Sequence, residues 1–337
     1  MDLRQQQLQT WLESILEKPV SLTPVVGDAS FRRYFRVTHN NEHFIAMDSP
    51  PDKEDCKPFV AIAKRLLKLN LNAPEILYAD EENGFLLISD LGNELYHREL
   101  NDNNADQLYR NALRDLLIIH NDYQGEKENL PLFGWEMMQT ELNNFTTWFL
   151  EKYLHLDLDL EDKITLEKTY AFLVESATEQ PQTFVHRDYH SRNLMIMPNQ
   201  QVGILDFQDA VVGPITYDLV SLIRDCYADW PLAQVEAWAL DFYQDLLKLN
   251  LIPHVDQKTY LRWFDLMGMQ RHLKAIFIFA RKFLRDGNDL YLQFIPRALN
   301  YVKHVCGKYE ELKDFQEFFE STILPAWKNK VDGNPES

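Results

Sequence analysis

Residues 3 to 17, LRQQQLQTWLESILE, bring Leu3, Leu8, Trp11, Leu12, Ile15 and Leu16 close to helical spacing, which predicts an amphipathic opening helix. A turn-like GDAS follows, and the period then changes. FRRYFRV (31–37) and HFIAMDS (43–49) have the β-branched and aromatic content of strands, and THNNE joins them as a hairpin. CKPFVAIAKRLLKLNL returns to helical spacing, and EILYADEENGFLLISDLG reads as two further strands around EENG. From about residue 94 the chain is mainly helical, with amphipathic candidates near 103–120, 136–153, 161–178, 233–249, 256–284 and 308–326. A small antiparallel sheet with one helix, followed by a larger helical region, predicts an α+β protein of two lobes with SDLGNE as the crossing; such folds usually hold a ligand in a cleft.

Only one later segment breaks the helical pattern. In FVHRDYHSRNLMIMPNQQVGILDFQDA (184–210), FVH enters, RDYHSRN forms an irregular loop, LMIM is a short apolar strand, PNQQ turns and VGILDF returns. This hairpin is expected to bring Asp188 and Asn193 near Asp206.

The 337 residues, 45% of them hydrophobic, suffice for one large domain or two lobes. The N-terminus has no secretion signal and the chain has no run of about 18 apolar residues, so the expected location is cytoplasmic, with no membrane partner. Cys56, Cys226 and Cys306 lie far apart and are odd in number, which fits buried thiols and neither a disulfide framework nor a zinc site. A net charge of -18 argues against a nucleic-acid partner. The same charge suits a cationic ligand, but it also describes an ordinary acidic surface.

Oxygen donors without His or Cys at suitable spacing favour a hard ion. Magnesium (Mg2+) takes one or two protein oxygens and completes its shell with water and phosphate, and Asn193 and Asp206 suit that role. Asp188 is then free to accept a proton from an attacking hydroxyl, so the three residues point to phosphoryl transfer from ATP. The pattern HxDxxxxN from His186 to Asn193, with Asp206 thirteen residues later, resembles the catalytic and metal-binding core of the protein-kinase-like superfamily. That resemblance gives His186 a supporting role in the loop. DFQDAVVGPITYDLVSLIRD runs directly toward a helix, leaving no room for an activation loop, and here the chain resembles the aminoglycoside phosphotransferase family of small-molecule kinases.

More narrowly, GDASFRRYFRV, MDSPPDKE, LLISDLG, HRDYHSRNLM, ILDFQDAVVGPITYDLVSLIRDCY and MGMQRHLKAIFIFARKFLRDG together resemble the bacterial kinases of cell-wall recycling. These act on the anomeric hydroxyl of N-acetylmuramate and N-acetylglucosamine. The resemblance implies ATP and magnesium as cofactors, and a sugar 1-phosphate product passed to a nucleotidyltransferase. It also implies a nucleotide-binding lobe at 1–91 and a catalytic, sugar-binding lobe at 92–337.

Two departures from the protein-kinase pattern concern the nucleotide. Only Gly27 stands where GxGxxG would, and HFIAMDS lacks the usual strand lysine, with Met47 or Asp48 near its place. Alternation puts Phe31, Arg33, Phe35 and Val37 on one strand face and Arg32, Tyr34 and Arg36 on the other. If Val37 faces adenine, Arg33 faces the phosphates, with Arg32 as the fallback; Asp48 is open to serve the metal or the sugar. Adenine is expected against backbone groups of Ser89, Asp90 and Leu91, with Ile45 and Leu205 as apolar walls, and Ser30 and Met47 complete the nucleotide set. For the acceptor the candidates are His190, Asp218, Arg224, Arg271 and His272, an arginine being suited to the lactyl carboxylate of N-acetylmuramate. Two other readings stay open: a related kinase acting on an aminoglycoside, choline or another alcohol, and an inactive nucleotide-binding module, suggested by the missing lysine.

Overall fold

The computed structural model describes residues 2–25, 31–123 and 130–333. By packing, the chain forms two compact units, one of Met1–Ile119 with Arg192–Asp209 and one of His120–Ser191 with Ala210–Ser337. The packing division therefore falls elsewhere than the boundary expected after residue 91, because residues 92–119 and the 192–209 hairpin pack into the first unit with the N-terminal sheet.

In the first unit, helix α1 (Leu3–Leu16) starts at Asp2, whose carboxylate accepts the Gln5 N–H at 2.8 Å. Strands β1 (Leu22–Val25), β2 (Arg33–His39) and β3 (Glu42–Asp48) precede helix α2 (Lys57–Lys68) and strands β4 (Ile76–Asp80) and β5 (Phe85–Ser89). The sheet is antiparallel throughout, in the order β1-β2-β3-β5-β4. The sequence pattern missed β1, four residues with a proline, which sits at the sheet edge where a missing N–H is tolerated. Leu8 and Leu12 of α1 bury themselves on Phe35, Val37, Ala46, Phe85 and Leu87. The register pairs Phe35 with Ala46 and Val37 with Phe44, so this sheet face belongs to α1, while Tyr34, Ile45, Met47 and Ile88 alternate to the opposite face.

Helices α3 (Tyr96–Glu99) and α4 (Ala105–Tyr123) follow, and α4 carries the chain into the second unit. That unit continues with α5 (Trp135–Asn144), prolonged by a π-helical run Phe145–Tyr153, then α6 (Leu160–Thr178) and β6 (Gln182–Val185). The chain returns to the first unit for the hairpin β7 (Leu194–Ile196) and β8 (Val202–Ile204). Three ties hold this hairpin there: Asn72 bonds the Val202 carbonyl (3.0 Å) and the Ile204 N–H (2.8 Å), the Glu94 carbonyl accepts the Ile196 N–H (2.7 Å), and Asn111 donates to the Gln200 carbonyl (2.8 Å). The last part comprises β9 (Val211–Pro214), antiparallel to β6, then α7 (Tyr217–Ile223), α8 (Leu232–Lys248), α9 (Gln257–Asp286), α10 (Ile295–Cys306), α11 (Lys313–Phe318) and α12 (Leu324–Asp332).

The thirty-residue α9 packs against α5, α6, α7, α8, α10 and the π-helical run, which explains its continuous burial from Trp263 to Phe277. The predicted 308–326 helix is instead broken into a 3-10 turn, α11, a second π-helical run and α12. All three cysteines are free and buried. Among the described residues no helix is long and apolar enough to cross a membrane.

Candidate active site

Each unit carries part of the predicted constellation. In the first, the β7–β8 ladder extends past its strands through the Leu205 N–H, which donates to the Asn193 carbonyl at 3.0 Å. This brings the two side chains together, with the Asn193 amide donating to Asp206 Oδ2 at 3.2 Å. Asp206 has φ 61°, a left-handed conformation that Asp adopts more readily than most residues. The next residue anchors it: the buried Phe207 ring stacks on Phe59, with centroids 4.9 Å apart. Gln208, which the sequence did not suggest, donates to Asp206 Oδ1 at 2.8 Å and fixes the carboxylate from the other side. One carboxylate and one amide carbonyl, with no soft donor, fit magnesium completed by water and phosphate oxygens. Among the described residues no group of three or more His, Cys, Asp or Glu forms a closed metal cage.

The nucleotide set needs correction. Ser30, like Gly27, lies outside the described residues. Val37 is fully buried beneath α1 and cannot face adenine, and Arg33 shares its sheet face. Arg33 is engaged with Asp2 and with Asp48, bonding the latter at 3.0 and 2.5 Å, and Arg4 holds Asp48 from the α1 side at 3.0 and 2.5 Å. Asp48 is wholly buried by these arginines, so neither metal nor sugar reaches it. Alternation could not reveal this, because it does not show that the opening helix covers that face of the sheet.

Ile45 and Met47 do lie on the other face. Beside Tyr34 there, Arg32 pairs with Glu54 at 2.9 Å. The Tyr34 hydroxyl is pushed up chiefly by burial and further by Asp206, Glu54 and Asp209, with Arg32 opposing, so these groups share one electrostatic neighbourhood. Arg32, the fallback, is thus the cation on the side of the metal pair.

The crossing segment is stiffened from within. Arg36 grips the Asp90 carboxylate at 2.5 and 3.1 Å and also bonds Asn93 and the Gly92 carbonyl, while Asp90 accepts the Gly92 N–H at 2.9 Å. Ser89 Oγ accepts the Glu75 N–H at 2.8 Å. These side chains shape the backbone rather than project from it. Leu91 lies over Gly203, where an added Cβ would come within 3.2 Å of it, and Leu205 is half-buried.

In the second unit, β6 delivers the catalytic loop. Asp218, fully buried at the start of α7, accepts the His186 N–H at 2.6 Å and the Arg187 N–H at 3.1 Å. Arg187 is held at φ 75°. His186 Nδ1 accepts the Asp188 N–H at 3.3 Å, a supporting bond of the expected kind. At the far end Asp225 accepts the Ser191 N–H at 3.0 Å, so buried carboxylates hold both ends of the loop.

Asp188 itself is 39% exposed, with His190 Nε2 at 3.9 Å. Burial would raise its titration, but Lys274, His190, Arg271 and Arg187 outweigh it and hold the carboxyl below the usual range. Water screening tempers the effect without reversing it. The group is ionised at neutral pH, as a proton acceptor must be.

The acceptor candidates separate by placement. Both Asp218 oxygens serve the loop backbone. Arg224, 5% exposed, is paired with Asp265 and lies over the Phe264 ring, while His272, 1% exposed, bonds the Arg224 carbonyl and stacks on Tyr301. These three are built into the helical packing, in contrast to their expected contact with substrate. Arg271 donates to Ser221 Oγ at 2.5 Å, and its charge reaches Asp188. The sequence pattern did not single out Lys274, one turn from Arg271 on α9; its Nζ donates to Tyr217 Oη at 3.0 Å and lies 3.5 Å from Glu141, which also accepts from Arg187 and Gln270.

The profile of the phosphotransferase enzyme family matches residues 21–255. The N-acetylmuramate/N-acetylglucosamine kinase of Pseudomonas aeruginosa is 41% identical over 334 residues, 95% of this chain and 97% of that protein. The Pseudomonas putida kinase of the same name is 40% identical over 330 residues, 94% and 96% of the two chains. Among solved structures, choline kinase LicA from Streptococcus pneumoniae superposes with a TM-score of 0.60 at 12% identity, covering 90% of this chain and all of its own. It has the same two-part, protein-kinase-like fold.

Proposed function

The chain belongs to the phosphotransferase enzyme family, and from that premise we propose that it uses ATP to phosphorylate the anomeric hydroxyl of N-acetylmuramate and N-acetylglucosamine. The names of the kinases at 40% and 41% identity support this reading. The observation that carries it is local charge. In a protein of net charge -18, Asp188 has Arg187, Arg271 and Lys274 near it, with Glu141 offsetting part of their charge. Such surroundings disfavour a polycationic aminoglycoside or choline, and suit a neutral sugar or one carrying a carboxylate.

In this reading the ionised Asp188 orients the hydroxyl and takes its proton as the anomeric oxygen bonds to the γ-phosphorus and the bond to the ADP oxygen breaks. A hemiacetal hydroxyl is more acidic than an ordinary alcohol, so a weak base suffices. Asn193 and Asp206 are the oxygens for magnesium, which when bound neutralises the triphosphate. Arg32, positioned by Glu54, supplies the charge that the absent strand lysine would. The stiffened 88–92 segment, Ile45, Met47 and Leu205 take the base, and Arg271 and His190 face the sugar. The reaction belongs in the cytoplasm, where ATP is abundant, and a sugar 1-phosphate is the kind of substrate that a nucleotidyltransferase consumes.

The test is a panel of both N-acetylated sugars, an aminoglycoside and choline with ATP and magnesium, reading ADP release and the position of the product phosphate. Asp188→Asn should lower turnover on the order of 10² to 10⁴ while nucleotide still raises the melting temperature. Preferred turnover of a cationic acceptor would overturn the assignment, and near-normal turnover in the variant would remove the base.

A further inference from the structure

Between α7 and α8 the chain runs through DCYADW (225–230), whose first residue anchors the catalytic loop. It is tied down more firmly than a connecting loop needs to be. Asp225 joins it to the catalytic loop through the Ser191 N–H at 3.0 Å and caps the Tyr227 N–H at 2.9 Å, and Arg297 of α10 donates to the Cys226 carbonyl at 2.7 Å. The device holds the half-buried Tyr227 ring edge-on to His190, with centroids 5.3 Å apart, and Phe294 packs edge-on against Tyr227 at 4.8 Å. His190 is in turn 3.9 Å from the Asp188 carboxylate.

The His190 ring and then the Tyr227 ring thus follow the proton acceptor in sequence. The proposed acceptor has a matching order: the reacting hydroxyl is on C1, and the acetamido group on C2 presents an amide and then a methyl. The geometry points to Tyr227, with His190, as the specificity element that recognises the 2-acetamido group of the acceptor, His190 meeting the amide and the Tyr227 ring covering the methyl. The inference rests on the amino-sugar reading above and goes beyond it by assigning what distinguishes an N-acetylated sugar from its plain counterpart. Aromatic rings suit this task because they present a large apolar surface at little entropic cost.

The experiment compares kcat/KM for N-acetylglucosamine and glucose in the full-length wild type, Tyr227→Ala and Tyr227→Phe, with ADP release as the readout. The preference for the acetylated sugar should narrow by about tenfold to a hundredfold in Tyr227→Ala, mainly through KM, and Tyr227→Phe should keep most of it. Because the readout is a ratio, general damage to the fold lowers both rates together. A ratio unchanged in Tyr227→Ala, or one equally narrowed in Tyr227→Phe, overturns the assignment of the ring face while leaving the kinase reading intact. Wild-type protein inactive on both N-acetylated sugars overturns both.

Discussion

Replacing Asp218 with Asn should separate stability from turnover. The carboxylate is fully buried beneath the catalytic loop, and burial pushes its titration from 3.8 up to about 7 against the His186 and Arg187 N–H donors and Arg271, with Asp188 adding to the rise. A group raised in the folded chain contributes stability that is fully present below pH 3.8 and is lost as pH climbs through about 7. At about 1.4 kcal/mol per pH unit, holding this charge at pH 8 costs the fold about 4 kcal/mol, and asparagine removes that cost. In exchange, asparagine has one acceptor oxygen for two backbone N–H groups, and the orphaned donor costs about 1–3 kcal/mol. The variant should therefore be as stable as wild type or more so at pH 8, and less stable by about 1–3 kcal/mol near pH 4, where wild type no longer bears the charge. Turnover should fall regardless. Arg187 sits at φ 75°, a conformation costing about 1–3 kcal/mol, and its N–H bond to Asp218 helps to hold it there. If the loop relaxes, Asp188 leaves its position and kcat drops about tenfold to a hundredfold. Urea unfolding at both pH values and kcat at saturating substrates give the answer. A folded variant with kcat within about twofold of wild type would refute the positioning argument.

Asp206→Ala should abolish productive magnesium binding and Asn193→Ala should raise the magnesium concentration needed for half-maximal rate; titrating the rate with magnesium checks both, and an unchanged requirement means a misassigned ligand. His120 and His272 are buried with titrations pushed down to about 3, so the stability they contribute is complete above pH 6.5 and drains away as pH falls toward 3, by about 1.4 kcal/mol per pH unit for each. Asp218 works in the opposite direction over the same interval, so the full decline should appear in urea unfolding of Asp218→Asn between pH 7 and 5, and adding His120→Phe should halve it. Arg271→Met should cost N-acetylmuramate about 1.5–3 kcal/mol in kcat/KM and spare N-acetylglucosamine, whereas Arg224→Met, which takes the buried guanidinium from Asp265 and leaves it Lys308 and Tyr309, should lower stability and both activities together. Equal losses on the two sugars for Arg271→Met would assign that arginine to structure.

The hairpin at 184–210 was legible because turn residues and an apolar alternation bracket it, and the side chains of Asn193 and Asp206 do meet. The five-stranded sheet was legible for the same reason, apart from β1. What the pattern could not carry was which face of a strand is covered. Arg33 and Val37 were assigned by parity alone, and parity holds equally well when α1 occupies that face. Asp218 and Arg224 failed differently: polar residues in or just after a short helix with no exposed face resemble substrate ligands until their buried partners are seen. α7 is buried along its whole length, so it has no amphipathic period to read. Lys274 hid for the converse reason, since a lysine on a long helix ordinarily points to water, and only its burial with Tyr217 and Glu141 marks it.

The return of residues 192–209 to the N-terminal sheet has a consequence for biosynthesis. When a ribosome has made the chain through Ile119, the first unit still lacks the segment that satisfies Asn72, Glu94 and Asn111 and covers the Phe59 ring. That segment follows only after the intervening residues of the other unit. At roughly 5–20 residues per second, the ninety residues from 120 to 209 keep the nascent unit waiting about 5 to 18 s. Throughout that interval it is a natural client for chaperones that bind emerging chains, and slowing translation within 120–191 should increase its proteolysis more than slowing it after residue 210.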